Sequence, residues 1–307
     1  MSVLNDPPAP QAIDGQVETL VAGKPALEPV LRPLGRMLAA KARMVEALRG
    51  KLSADSLHID GSALARGAPL LEGVSTSPLE PRLSRTLASL PAPLGETFPA
   101  LQEPWTRLET ALSREVPGLD GVWRAFLDGD RRPLVEAART LETPPEILGL
   151  AVRLALGIVL EALEPSLKNR GREEGWLKGY CPLCGSMPFA GSLSAEDSGS
   201  EYLVGGGGRK YLHCSLCAHS WHVRRGTCPA CDNSDPRRFM YYRVEGKPAE
   251  RVEVCNECNG YLVCLDLRET SSPPSMEVAA LGMIHLDAWA REQGYHPLAE
   301  TLWNMVE

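Results

Sequence analysis

Three things are scarce in this sequence of 307 residues, and each scarcity excludes a class of protein. Positive charge is the first. Asp and Glu number 39 against 32 Lys and Arg, for a net charge of −7 and a pI near 5.5. A chain with no global basic field is poorly suited to nucleic acid or anionic lipid, so no nucleic-acid partner is expected. Long apolar runs are the second. The longest, residues 147–163, carries Arg153 near its middle and Glu161 near its end. It falls short of the roughly 20 clean residues a membrane span requires and reads as a buried core helix. The first fifteen residues are acidic and proline-rich and lack the basic and apolar regions of an export signal. The expectation is a cytoplasmic protein without membrane insertion. Cysteine in the first 180 residues is the third: all nine lie at or after residue 181. In a reducing compartment such cysteines favour metal binding over a disulfide framework.

What is present divides the chain. Hydrophobic residues at 44% and charged residues at 23% are ordinary for a globular protein, and the length suggests two or three domains. Before residue 175 the pattern is helical. Leu34, Met37, Leu38, Val45 and Leu48 recur at helical spacing, with Gly50 as a stop. Further helices are expected over 81–90, 104–116, 120–127 and 133–141, with a proline-glycine stop at 117–118 and an extended connection over 51–80. The best-marked start is Thr143, placed as an N-cap before Pro144, with Glu146 closing a capping box. After the cysteines, 275–293 reads as one helix with Gly294 beyond its end, and 297–305 as a short final one. The expected fold is α+β: an all-helical domain over 1–175, two small four-cysteine modules over 176–222 and 223–270, and a C-terminal helical segment over 271–307.

Eight cysteines form four C-x-x-C pairs: Cys181/Cys184, Cys214/Cys217, Cys228/Cys231 and Cys255/Cys258. Each pair puts two sulfurs on one tight turn, and two facing turns complete a tetrahedral four-sulfur site with no open coordination position. Hydrolytic metal catalysis is therefore disfavoured, and the chain is not expected to be an enzyme. EYLV at 201–204, glycines at 205–208 and RKYLH at 209–213 read as strand, turn, strand between the first two pairs. RFMYYRV at 238–244, EGKP at 245–248 and ERVEV at 250–254 repeat the pattern between the last two. This internal duplication favours sequential grouping: Cys181, Cys184, Cys214 and Cys217 in one site, Cys228, Cys231, Cys255 and Cys258 in the other. The ten-residue interval between the second and third pairs leaves interleaved grouping open. The residue after each pair is expected in a left-handed conformation: Gly185, Asp232 and Asn259 tolerate it, while for Ala218 it costs about 1–2 kcal/mol. Sulfur-only tetrahedral ligation suits zinc or a single iron alike.

Other candidates have plainer readings. His213, His219 and His222 crowd the second pair but are surplus to two filled sites. Cys264 reads as a small buried hydrophobe. The glycines at 205–208, followed by Arg209 and Lys210, lack the P-loop pattern and read as a hairpin tip. Arg224, Arg225, Arg237 and Arg238 read as solvated loop charge, with an acidic partner surface as the sharper alternative. No thioredoxin-like context supports a C-x-x-C redox centre.

YCPLCGSMP at 180–188, LHCSLC at 212–217 with Trp221, RGTCPAC at 225–231 and CNECNGY at 255–261 together resemble the FdhE family. These are accessory proteins needed for active formate dehydrogenase in bacteria. The resemblance covers about residues 178–266. It implies a helical domain followed by two rubredoxin-like modules, in a cytoplasmic maturation factor that binds the catalytic subunit of formate dehydrogenase before export. It also implies two metal ions in tetrathiolate sites, with iron favoured by analogy with rubredoxin and zinc the alternative. Two other readings stand beside it: a rubredoxin-like electron-transfer or redox-sensing protein, and a zinc-ribbon nucleic-acid-binding protein. Cys264 has no place in the motif.

Overall fold

The computed structural model describes residues 10–113, 119, 121–194, 208–270, 272 and 274–305. Eight helices come first: α1 Pro10–Gly23, α2 Glu28–Leu48, α3 Glu80–Ala88, α4 Pro91–Thr97, α5 Gln102–Leu112, α6 Val122–Leu127, α7 Arg132–Thr140 and α8 Pro145–Lys168. The stripe on α2 faces inward as its spacing requires, with Leu31 added to the five residues named above. At the centre lies α8, buried over most of its surface, which is why its sequence is apolar almost all round. No helix of the described residues is long and apolar enough to cross a membrane.

Several local expectations are corrected. Residues 10–23, for which no separate element was expected, form the 14-residue helix α1, which packs on α2. The connection expected over 51–80 holds as far as residue 79, with three 3-10 turns and no α-helix before α3 starts at Glu80. The expected stop at 117–118, and the strand at 201–204, lie outside the described residues. Thr143 does not cap α8: its backbone N–H closes the preceding helix on the Ala138 carbonyl, Pro144 takes the N-cap position, and no side chain caps the helix. The expected helix over 275–293 is two, α9 Met276–Gly282 and α10 Ile284–Glu292. The break falls where the Gly282 carbonyl accepts from the Lys24 ammonium, and where a Cβ on Gly282 would sit 2.9 Å from Leu20. Ser275 caps α9 through Val278 N–H, and Gly294 is left-handed beyond α10. The final segment is not a helix. It runs extended as β7 (His296–Pro297) because it pairs with the sheet, then turns at Thr301 and Asn304, whose side chains and backbone amides bond reciprocally.

The strands are β1 Pro188–Ser194, β2 Arg209–Cys214, β3 Ser220–Val223, β4 Phe239–Val244, β5 Lys247–Cys255 and β6 Gly260–Asp266. They lie in one sheet in the order β3-β2-β1-β6-β5-β4, with β7 on β6. The first hairpin partner of β2 is β1, upstream of the segment expected from sequence. Each four-cysteine unit contributes three strands in the same order. The two units join edge to edge where β1 meets β6 in parallel, Ala190 opposite Val263 and Gly191 opposite Cys264. Buried strands at this joint, α9 packed on β1 and β6, and α10 on β5 and β6 tie the sheet to the helices.

Under the sheet, Tyr261 donates its hydroxyl proton to Asp287 Oδ1 at 2.9 Å, and Asp287 Oδ2 is buried with no hydrogen-bond partner among the described residues. Burial pushes this carboxyl up to about 6 from 3.8. The folded state therefore holds the proton more tightly than the unfolded chain, so Asp287 costs nothing below pH 3.8 and its penalty grows as pH rises toward 6. Its full size above pH 6 is roughly 3 kcal/mol. Asp287→Asn is expected to raise stability at pH 8 by about 1–3 kcal/mol and to leave it little changed at pH 4. Urea unfolding at the two values checks this; an equal effect at both would count against it.

Candidate functional site

Each C-x-x-C turn has the backbone its ligand geometry requires. Gly185, Ala218, Asp232 and Asn259 all have positive φ, at 79°, 56°, 57° and 56°, as expected for the residue following each pair. The reversal turns N–H groups back toward sulfur: Leu216 and Cys217 N–H point to Cys214 Sγ at 3.4 Å. Ala218 carries the strain that sequence reading anticipated.

The cysteines gather in sequential order, not interleaved. In cluster 1, Cys181, Cys184, Cys214 and Cys217 have their sulfurs within 4.8 Å of one another; Cys228, Cys231, Cys255 and Cys258 do the same in cluster 2. The nearest sulfur pairs stand at 3.6 Å (Cys181–Cys217) and 3.4 Å (Cys184–Cys214), then 3.7 Å (Cys228–Cys258) and 3.6 Å (Cys231–Cys255). A disulfide would bring sulfurs to about 2.05 Å. A tetrahedron with metal–sulfur bonds near 2.3 Å has edges of about 3.8 Å. None of the nine cysteines is joined in a disulfide, and the spacing in both clusters suits one ion shared by four sulfurs. The donor set and the spacing both fit a tetrathiolate ion.

The clusters differ in their surroundings. Cluster 1 is buried throughout. Its first turn is fastened to the helical region, with Leu70 and Leu71 N–H donating to the Pro182 and Leu183 carbonyls at 2.9 Å. Its second turn lies against α8, where a Cβ on Gly157 would come within 3.0 Å of the Leu216 carbonyl oxygen. Burial pushes the Cys181 and Cys217 thiols up, while hydrogen bonds from the neighbouring cysteines hold Cys184 down. Arg153, whose own protonation burial disfavours, stands near enough to Cys214 and Cys184 for their charge to favour its cation. That matters because four thiolates around a divalent ion leave −2. In cluster 2, Cys231 is exposed and Cys258 half-buried. Against the effect of burial, the Cys258 and Glu257 N–H groups and the Asn233 amide pull Cys255 down to about 7.

The histidines stand outside both clusters. His213 lies between Ser192 Oγ and Ser220 Oγ, each at 2.8 Å, and burial and the nearby His219 lower it to about 3, so it is neutral. His219 is fully buried between Glu164 at 2.8 Å and Glu173 at 3.1 Å, which raise it despite burial, and its ring stacks on Trp221. His222 is exposed and edges onto Tyr211. Cys264 is buried on β6, its thiol pushed up to about 11 by burial. Of the four arginines, Arg237 pairs with Asp235 and Arg238 with Glu257, which cancels most of a basic patch; Arg224 and Arg225 remain on the surface. Gly205 to Gly207 lie outside the described residues. Lys210 does not face solvent: it is buried and pairs with Glu253 of β5 across two intervening strands. Sequence reading missed that pair, and its only signal was charge at inward-facing strand positions.

Residues 180–225 match the family description "FdhE, central domain". Over 285 residues the chain is 28% identical to the Protein FdhE homolog of Edwardsiella ictaluri, with 88% of each chain covered. It is 36% identical over 163 residues to the homolog of Stutzerimonas stutzeri, covering 52% of this chain and 49% of that one. With the homolog of Aquifex aeolicus it shares 30% identity over 129 residues, 42% of each. The last two matches span less than half of those relatives' length. Among solved structures, the crystal structure of the FdhE protein from Pseudomonas aeruginosa superposes with a TM-score of 0.62 at 23% identity, covering 96% of this chain and 95% of that one. That likeness establishes a shared fold.

Proposed function

Because this chain belongs to the FdhE family, we propose that it is a maturation factor for formate dehydrogenase, binding the enzyme's catalytic subunit in the cytoplasm and performing no catalysis itself. The observation that carries this reading is the pair of closed four-sulfur clusters in a chain with the family's central motif. Cys181, Cys184, Cys214 and Cys217 would hold one ion, and Cys228, Cys231, Cys255 and Cys258 the other. With four thiolates present there is no position for a metal-bound water, so the clusters shape and stiffen a docking body. The helices and the sheet, joined through α9 and α10, supply the rest of that body. Iron would add one-electron chemistry and zinc none; iron is the family's implied occupant. A visible spectrum of the air-oxidised protein separates them, since ferric tetrathiolate is coloured.

Deleting the gene in a host that makes formate dehydrogenase is expected to reduce formate-dependent dye reduction to background, with the catalytic subunit still produced. A tagged copy of this chain restores activity and co-purifies with that subunit from cytoplasmic extract. Undiminished activity in the deletion strain would overturn the proposal.

A further inference from the structure

Resting on the reading that both clusters hold an ion, we infer that the two are not equivalent: cluster 2 is the site of metal exchange, opening at Cys231, and cluster 1 is a permanent structural centre. Substitution at a four-coordinate thiolate site requires an incoming donor to reach the ion, so access and the freedom of one ligand to leave decide its rate. In cluster 2 a path exists. Ala230, Cys231 and Asp232 are exposed together, as are Asn256, Glu257 and Asn259 around half-buried Cys258. Both solvent-facing cysteines therefore sit on turns with water on one side. Cys228 and Cys255, the other two, are buried and remain anchored. An incoming thiolate or nitrogen donor would form its bond from the open side as Cys231 Sγ gives up its own. The released sulfur takes a proton from water, and no electron moves.

Cluster 1 offers no such path. Its four cysteines are at most 8% exposed. The 181–184 turn is bonded to Leu70 and Leu71, and Gly185 lies under Pro69, where a Cβ would meet the ring at 3.2 Å. The approach segment is pinned by Trp176 Nε1 to the Tyr180 carbonyl and by the Tyr180 hydroxyl to the Gly67 carbonyl. The 214–217 turn is held through His219 to Glu164 of α8 and to Glu173. Freeing any ligand there requires the helical region to separate from the sheet, an opening close to global unfolding.

The test uses the full chain loaded with zinc to two equivalents by elemental analysis, then mixed with excess 4-(2-pyridylazo)resorcinol, whose absorbance reports released zinc. One equivalent is expected to leave faster than the other by about tenfold or more. Cys231→Ser is expected to lose the cluster 2 ion, and with it the fast phase, and to leave the slow one unchanged. In parallel, iodoacetamide labelling of the zinc-loaded wild type, read by peptide mass spectrometry, is expected to modify Cys231 first and Cys258 next, with cluster 1 protected. Two equivalents leaving in one phase, or labelling that begins in cluster 1, overturn the inference while leaving the metal reading intact. A chain that binds no zinc overturns the metal reading, and the inference with it.

Discussion

Cys181→Ser is expected to bind one ion instead of two and to lose most of its helical circular dichroism at 37 °C, not only its sheet signal. The argument is one of magnitude. A structural tetrathiolate ion contributes on the order of 10–16 kcal/mol of apparent folding free energy in small modules, while whole domains are stable by only about 5–15 kcal/mol. Cys181 is fully buried, and burial pushes its thiol and that of Cys217 up, so a shared ion is what would hold these sulfurs together as thiolates. The turn it anchors is the one whose carbonyls hold Leu70 and Leu71. Loss of the turn therefore releases the 51–80 connection and uncovers Leu183 and Leu216, both buried against the helical region. Cys231→Ser supplies the control. It loses an ion from a cluster whose turns face solvent, so the helical signal is expected to persist to within a few degrees of the wild-type midpoint. Equal thermal midpoints for the two variants would contradict this account of cluster 1.

That contrast explains what could be read in the sequence and what could not. C-x-x-C is a local signal: one turn, two sulfurs and a left-handed residue after it, so all four turns, including the strained Ala218, were legible. Sequential grouping was legible too, because each hairpin returns its second pair to its first. The joint between units was not. β1 and β6 meet in parallel from segments some 70 residues apart, and β1 is buried at nearly every position, so it lacks the apolar–polar alternation that marks a half-exposed strand. Helix ends failed where tertiary contacts outvoted local preference. Thr143 has N-cap chemistry, yet its N–H is engaged by α7. Residues 275–293 have helical spacing, yet Gly282 spends its carbonyl on Lys24. The buried ion pairs were invisible for a related reason, since no spacing rule links Lys41 to Glu161 or Lys210 to Glu253.

Lys41→Met is expected to destabilise the protein by about 3–5 kcal/mol at pH 8, the cost of leaving a buried charge without its partner. Lys41 on α2 reaches Glu161 of α8 at 2.7 Å and also pairs with Glu277 of α9, so one ammonium serves two carboxylates. Lys41 and Glu161 are both buried. The surplus negative charge has opposite consequences for them. Despite burial, Glu161 and Glu277 raise Lys41 well above its ordinary value, while burial, aided by Glu277, raises Glu161 against the pull of Lys41. Removing the ammonium removes that pull and drives Glu161 higher still. A carboxyl with a raised folded pKa carries no penalty below its unfolded value of 4.5 and an increasing one as pH climbs through the folded value. The deficit of Lys41→Met should therefore shrink at pH 5 and widen toward pH 8. Adding Glu161→Gln should recover part of it at pH 8 by replacing an unpaired charge with a neutral amide. Urea unfolding of the two variants at both pH values measures each effect. A loss below about 1 kcal/mol that does not change with pH would mean that water already reaches the cluster, and that α2, α8 and α9 are held together by apolar packing alone.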